Sequence, residues 1–193
     1  MSHKVKDIKK ITLSNHWAAL YRIDYNYKFK NNEWRAVSRE VYNRRDAACV
    51  LLYNTQKQSV VLTSQFRMPA YLNNSDEGMS IEVCAGLIDD NETPLDCVLR
   101  ETEEEVGYRL PTAKKIMEIY MSPGAITEKT HLFIAEYTPE MKINAGGGLE
   151  SENEEIEVLE ISISKAFQLL EDNAIRDAKT AILLQYLQSY KPI

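Results

Sequence analysis

Glycine is scarce in this 193-residue chain, with only 7 present, about half the usual ~7% share. Few positions are therefore suited to unusual backbone angles, and a collagenous or low-complexity chain is excluded. Long apolar runs are missing too. Ala47-Ala-Cys-Val-Leu-Leu-Tyr53 is among the longest, far short of the ~20 residues that span a bilayer. The opening MSHKVKDIKK is charged with no apolar stretch behind it, so no secretory signal is expected there. Cysteine is limited to Cys49, Cys84 and Cys97, an odd number set singly in apolar sequence without redox or metal-ligand spacing. They read as small core residues of a reducing compartment. Basic residues are outnumbered 23 to 29, for a formal charge of -6, which argues against nucleic acid as a partner. His3, His16 and His131 are isolated, and His131 reads as a core or surface imidazole rather than a catalyst. The expectation is a soluble, cytoplasmic protein with no membrane partner.

What is present is a balance of 44% apolar and 27% charged residues, which at this length suits one core plus an appendage. Residues 18–30 alternate over much of their length and are rich in aromatics, the period-2 pattern of a half-buried strand. Asn31-Asn32 supplies a tight turn, and Glu33 to Asn43 reads as the returning strand. Such a hairpin is marginal alone and must be covered, by the rest of the chain or by a second copy. The reading is an N-terminal β subdomain over 1–43, a link at Arg44-Arg45-Asp46 and a main domain over 44–193. In the latter, strands are expected over 47–53, 59–66, 80–84, 114–121, 130–136 and 156–161, and helices over 94–106, 163–172 and 178–189. Strands mixed with helices, not in regular alternation, imply an α/β (α+β) fold with a mixed sheet and helices on its faces.

The most informative segment runs from Gly86 to Tyr108. Thr93 can cap a helix, Pro94 suits its first position, Asp96 faces the positive end of the dipole, and Gly107 suits its end. At about 100° per residue, Leu95, Val98, Leu99, Thr102 and Val106 form one core-facing sector, with Glu101, Glu104 and Glu105 beside it. Those carboxylates repel one another by a few tenths of a kcal/mol per pair. The nearby cation on the helix is Arg100, four residues before Glu104, and no lysine occurs between Lys57 and Lys114. A row of glutamates also suits a plain solvated face. Carboxylates at the edge of a core, expected to lack partners, suit a hard divalent cation better.

Gly86, Glu92, Arg100, Glu101, Glu104, Glu105 and Gly107 stand at the offsets of the Nudix box, which this segment resembles. That box marks hydrolases of nucleoside diphosphates linked to another group. Thr102 stands where the family usually has an aliphatic residue, a packing variation expected to leave metal binding untouched. Further segments look like the GDP-mannose pyrophosphatase branch, a sibling of the ADP-ribose pyrophosphatases. They are Ser38-Arg-Glu-Val-Tyr42, Gln65-Phe-Arg67, Glu82-Val-Cys-Ala-Gly-Leu87, Tyr120-Met-Ser-Pro-Gly124, Thr127-Glu128, Asn144-Ala-Gly-Gly-Gly148 and Ile175-Arg-Asp-Ala-Lys179.

The resemblance implies a Nudix α/β/α sandwich and a pyrophosphohydrolase that uses Mg²⁺ or Mn²⁺ on a nucleotide sugar. GDP-mannose would be cleaved to GMP and mannose 1-phosphate. ADP-ribose or a broader range of nucleotide sugars is the enzyme alternative, and a nucleotide-sugar sensor the non-enzyme one. Implied metal ligands are the Ala85 carbonyl, Glu101, Glu105 and Glu154. Glu104 would support the metal waters, Arg100 would orient the glutamates, and Glu92 would lie behind them. The run Glu150-Ser-Glu152-Asn-Glu154-Glu155 reads from composition as a mobile acidic loop, and the resemblance puts a general base at Glu152. Implied substrate contacts are Trp17, Ser38, Arg39, Glu40, Arg67, Ala85, Gly86, Leu87, Glu105, Glu128, Asn153, Glu154 and Lys179. Of these, Arg67 also suits phosphate on chemical grounds, its planar fork matching the oxygens, though a surface ion pair fits equally. Lys179 by itself reads as an ordinary helix-surface lysine. A homodimer with exchanged N-terminal hairpins is implied as well.

Overall fold

In the computed structural model the described residues are 4–73 and 76–190, so His3 lies outside them. They form two compact units.

The first unit comprises the segment up to Asp46 together with Tyr120–Lys129. Its body is an antiparallel sheet of three strands, β1 (Val5–Asn15), β2 (Ala19–Lys28) and β3 (Trp34–Asn43), paired in that order. The expected two-stranded hairpin is therefore extended by a strand where sequence pattern showed none. The reason is visible in β1. Lys6, Asp7, Lys9 and Lys10 break any alternation, and register shifts occur between Lys6 and Lys9 and between Thr12 and Ser14. Asp7 sits at φ 57° inside that irregularity, as a bulged residue can. Among the strand residues of this sheet only Ala19 is buried, while Ile8, Leu13 and Trp34 are exposed.

The second unit, Ala47–Ile119 with Thr130 onward, holds the main sheet. Strand order is β10 (Ile156–Ser162), β5 (Ser59–Phe66), β4 (Ala47–Asn54), β9 (Lys129–Glu136) and β8 (Lys114–Tyr120). Two short strands, β6 (Met79–Glu82) and β7 (Cys84–Leu87), pair with β5 and β4. β4 runs parallel to β9 and antiparallel to β5, so the sheet is mixed. Every residue of β4 is buried, and its period-2 alternation serves two cores. Ala48, Val50 and Leu52 face a cluster with Cys97, Val98, Val106 and Tyr108. Cys49, Leu51 and Tyr53 face another with Ala166, Ile175, Leu183, Leu184 and Leu187. The first cluster is covered by α2 (Pro94–Glu101), the second by α3 (Ile163–Glu171) and α4 (Ala178–Tyr190). The result is the helix–sheet–helix sandwich the sequence implied. A short helix, α1 (Met68–Leu72), precedes β6. The three cysteines are buried and free, and His131 is buried with Nδ1 3.5 Å from Glu118.

Candidate active site

The site is built around the end of α2. Thr93 and Asp96 form the capping box, with Pro94 in the first turn, so the start is set as its residues require. The helix does not stay α to its end. Thr102–Val106 widens into a π turn, closed by Gly107 at φ 77°. Thr102 is fully buried, and its hydroxyl donates to the Val98 carbonyl at 2.6 Å. Wide turns of this kind concentrate at functional sites. Here it carries Glu105 to 2% exposure and leaves Glu104 half-buried.

Glycines bring backbone against this turn. A Cβ on Gly86 would stand 1.7 Å from Glu101 Oε1, so the Glu101 carboxylate lies directly on the Ala85–Gly86 backbone. The Ala85 amide donates to Glu105 Oε2 at 3.0 Å. From the far loop, the Gly147 and Gly148 amides donate to the carbonyls of Glu105 and Glu104 at 2.9 and 3.1 Å. These are carbonyls that a helix end leaves without partners. Asn144 Nδ2 donates to the Glu103 carbonyl at 3.3 Å. Gly148 also packs on Glu154, whose Oε2 accepts from the Leu149 amide at 3.1 Å.

The carboxylates have more partners than expected. Arg100 donates through Nε and Nη2 to Glu92, and through Nη1 to Glu101 at 2.7 Å and Glu104 at 3.0 Å. Glu103 is held by Arg109. The expectation of glutamates without partners is thus corrected: one guanidinium is shared among three of them, a geometry that fits Arg100 as their orienting group. It does not neutralise them all. Burial pushes the Glu101 carboxyl up to about 7, with Arg100 pulling down and Glu104 and Glu154 pushing up. Burial likewise raises Glu105 to about 8, against the Cys84 and Ala85 hydrogen bonds and with the charges of Glu101 and Glu154.

A divalent cation fits this chemistry. The donors are hard oxygens on rigid elements, and the carboxyls of Glu101 and Glu105 stay raised although Arg100 bonds the first and Arg67 lies within electrostatic reach of the second. Among the described residues, no three His, Cys, Asp or Glu side chains stand ready as a ligand set, and Arg100 occupies Glu101 Oε1. The donor types are right, while their present engagement is with protein N–H groups.

Other predicted residues divide into two groups. In the second unit, Arg67 lies within electrostatic reach of Glu105. The Leu87 carbonyl accepts from Arg100 Nη2 at 3.4 Å. Glu152 closes a 3-10 turn, Glu150–Glu152, with an exposed side chain, and Asn153 follows at φ 57°. Lys179 is not the surface lysine its sequence setting suggests: its side chain is 14% exposed, and Nζ bonds Glu82 and Asp177. In the first unit, Trp17 sits between β1 and β2 at 69% exposure, 6.4 Å from the Tyr42 ring. Arg44 lies 5.1 Å over Trp17 and forms an ion pair with Glu128 at 2.6 Å. Ser38, Arg39 and Glu40 are exposed on β3, with Ser38 donating to Asp24. Sequence reasoning missed Arg44 and Glu82. A charged residue amid the apolar run Ile81-Glu-Val-Cys-Ala85 was the available signal for Glu82.

Comparisons with known proteins point to one family. A NUDIX domain model matches residues 43–183, and a model described as the GDP-mannose pyrophosphatase NudK N-terminal domain matches residues 4–42. A GDP-mannose pyrophosphatase of Cronobacter sakazakii is 49% identical over 188 residues, 97% of each chain. That of Pectobacterium atrosepticum is 44% identical over 186 residues, covering 96% of this chain and 95% of its own. That of Escherichia coli K12 is 44% identical over 189 residues, covering 98% and 97%.

Proposed function

The chain belongs to the Nudix family, and from that premise we propose that it is a Mg²⁺-dependent pyrophosphohydrolase of GDP-mannose. Water and the sugar nucleotide give GMP and mannose 1-phosphate by cleavage of one P–O bond of the diphosphate. The supporting observation is the clustering of four glutamates at the end of α2, Glu101 and Glu104 bonded to Arg100 and Glu105 and Glu101 within reach of the Glu154 charge, combined with near full-length similarity to proteins of that name.

In this reading Glu101, Glu105, Glu154 and the Ala85 carbonyl would hold the metal. When bound, Mg²⁺ (or Mn²⁺) neutralises diphosphate charge and acidifies a coordinated water. Arg100 keeps Glu101 and Glu104 aimed, with Glu92 bracing it from behind. Glu104 would accept hydrogen bonds from water at that site, and Glu152 would take the proton of the attacking water. Arg67 and Lys179 meet diphosphate oxygens, for which a guanidinium fork is suited. Gly86, Leu87 and Asn153 lie along the same ligand. Trp17 offers a stacking face for guanine, with Ser38, Arg39, Glu40 and Glu128 as polar contacts to nucleoside and sugar.

The same proposal includes a homodimer with exchanged N-terminal sheets, since a three-stranded sheet with so little buried needs covering. The three free, buried cysteines favour the cytoplasm. No helix among the described residues is long and apolar enough to cross a membrane.

Kinetics on GDP-mannose, ADP-ribose and ADP-glucose, with and without Mg²⁺, test the reaction. GDP-mannose should lead in kcat/KM, with turnover lost without metal. A tenfold preference for ADP-ribose would reassign the substrate, and binding without turnover under all conditions would make the chain a sensor. Sedimentation at micromolar concentration tests the dimer, which a monomeric boundary would dismiss.

A further inference from the structure

We infer that Glu82 is a positioning residue, holding Arg67 and Lys179 together as one anion-facing pair. The inference rests on the reading of those two cations as diphosphate contacts.

The geometry is closed on one side and open on the other. Glu82, with a side chain 5% exposed, accepts from Arg67 Nε and Nη2 at 2.8 and 3.0 Å and from Lys179 Nζ at 2.5 Å. The Arg67 side chain is itself 42% exposed. Its bonds to Glu82 use two of a guanidinium's five N–H donors, and the others remain for an anion. Lys179 is fixed from a second direction by Asp177 Oδ1 at 2.8 Å. Asp177 in turn accepts from the Thr180 amide and hydroxyl at the start of α4, and the Thr180 hydroxyl accepts from the Val83 amide. One network thus joins the end of β5, the β6–β7 junction and the start of α4.

Two cations and two carboxylates sum to zero charge, so this network does not draw an anion by net charge. It works by orientation: the carboxylates are buried or nearly so, and the guanidinium edge is exposed. Without Glu82 the two cations would repel at close range, and Arg67 would lose its bidentate anchor.

Glu82→Gln separates this role from a simple charge effect. Removing a negative charge next to two cations would lower KM for the dianionic substrate if charge alone mattered. Positioning predicts the reverse: KM for GDP-mannose about tenfold higher with kcat within threefold. In a double-mutant cycle with Arg67→Gln, the two changes should be strongly non-additive, the pair no worse than Arg67→Gln alone. An unchanged or lowered KM, or full additivity, overturns the inference. Arg67→Gln by itself within twofold of wild type in kcat/KM would instead remove the underlying reading. Thermal melting accompanies each variant. Should Glu82→Gln not fold, Glu82→Asp keeps the charge but cannot span both cations, and a KM unchanged there is equally decisive against the role.

Discussion

The two units solve the problem of a stable sheet in opposite ways. In the larger unit, β4 is buried on both faces between two apolar clusters. The N-terminal sheet buries one alanine of its strand residues and leaves Ile8, Leu13 and Trp34 in solvent. Charge divides them as well. The first unit carries twelve Lys and Arg against six Asp and Glu, leaving eleven against twenty-three for the rest. The larger unit has a core sufficient to tolerate a costly acidic site. The smaller has surface and charge in excess of what its own packing uses, as an element made to meet something else would have.

The largest effect that would test this contrast is at Glu105. Glu105→Gln should cut kcat by at least ~100-fold, while the melting temperature without metal holds or rises, because a buried carboxyl raised to about 8 is replaced by a neutral group. A matching fall in stability would make Glu105 a structural residue. Next, Leu51→Ala, at the centre of β4 and fully buried, should cost about 3 kcal/mol in urea unfolding. A loss under 1 kcal/mol would contradict the two-sided core.

Acid should act through the larger unit too. Burial would raise Glu82, but Arg67 and Lys179 more than offset it and hold it at about 2. A depressed carboxyl stabilises above its unfolded value of 4.5 and loses that contribution as pH falls toward 2. Between pH 7 and pH 3 this amounts to about 2 kcal/mol, which Glu82→Gln should remove from the pH dependence of urea midpoints. The smallest effect is expected in the other unit. Ile8→Ala, 67% exposed, should change stability by less than ~0.5 kcal/mol in dilute protein. A larger loss that grows with protein concentration would show that a second copy covers the sheet.

Much of the larger unit was legible in the residues. Thr93, Pro94, Asp96 and Gly107 gave both ends of the helical segment, and β4 as a strand followed from its apolar run. What escaped were features that break the period on which such reading depends. β1 was hidden by lysines and a bulge. The expected strand over 80–84 is two strands meeting at Val83. The widened turn at Thr102–Val106 was invisible to a 100° projection, which assumes the regular spacing it abandons. The Glu82–Lys179 bond joins residues 97 apart, a pairing no local pattern encodes. Box residues and their charge were plain, but that one arginine serves Glu92, Glu101 and Glu104 required coordinates.

The amides of Gly147 and Gly148 on the carbonyls of Glu105 and Glu104 make the downstream segment a splint for the acidic turn. The length of the segment leading into Gly147 and Gly148 is therefore fixed by those two bonds. Residues inserted between Asn144 and Gly148 would drag the splint out of register, whereas insertions across 149–153 would spare those two bonds and loosen instead the Leu149–Glu154 bonds that hold the last acid. Evolution can retune the reach of that last acid there without disturbing the others.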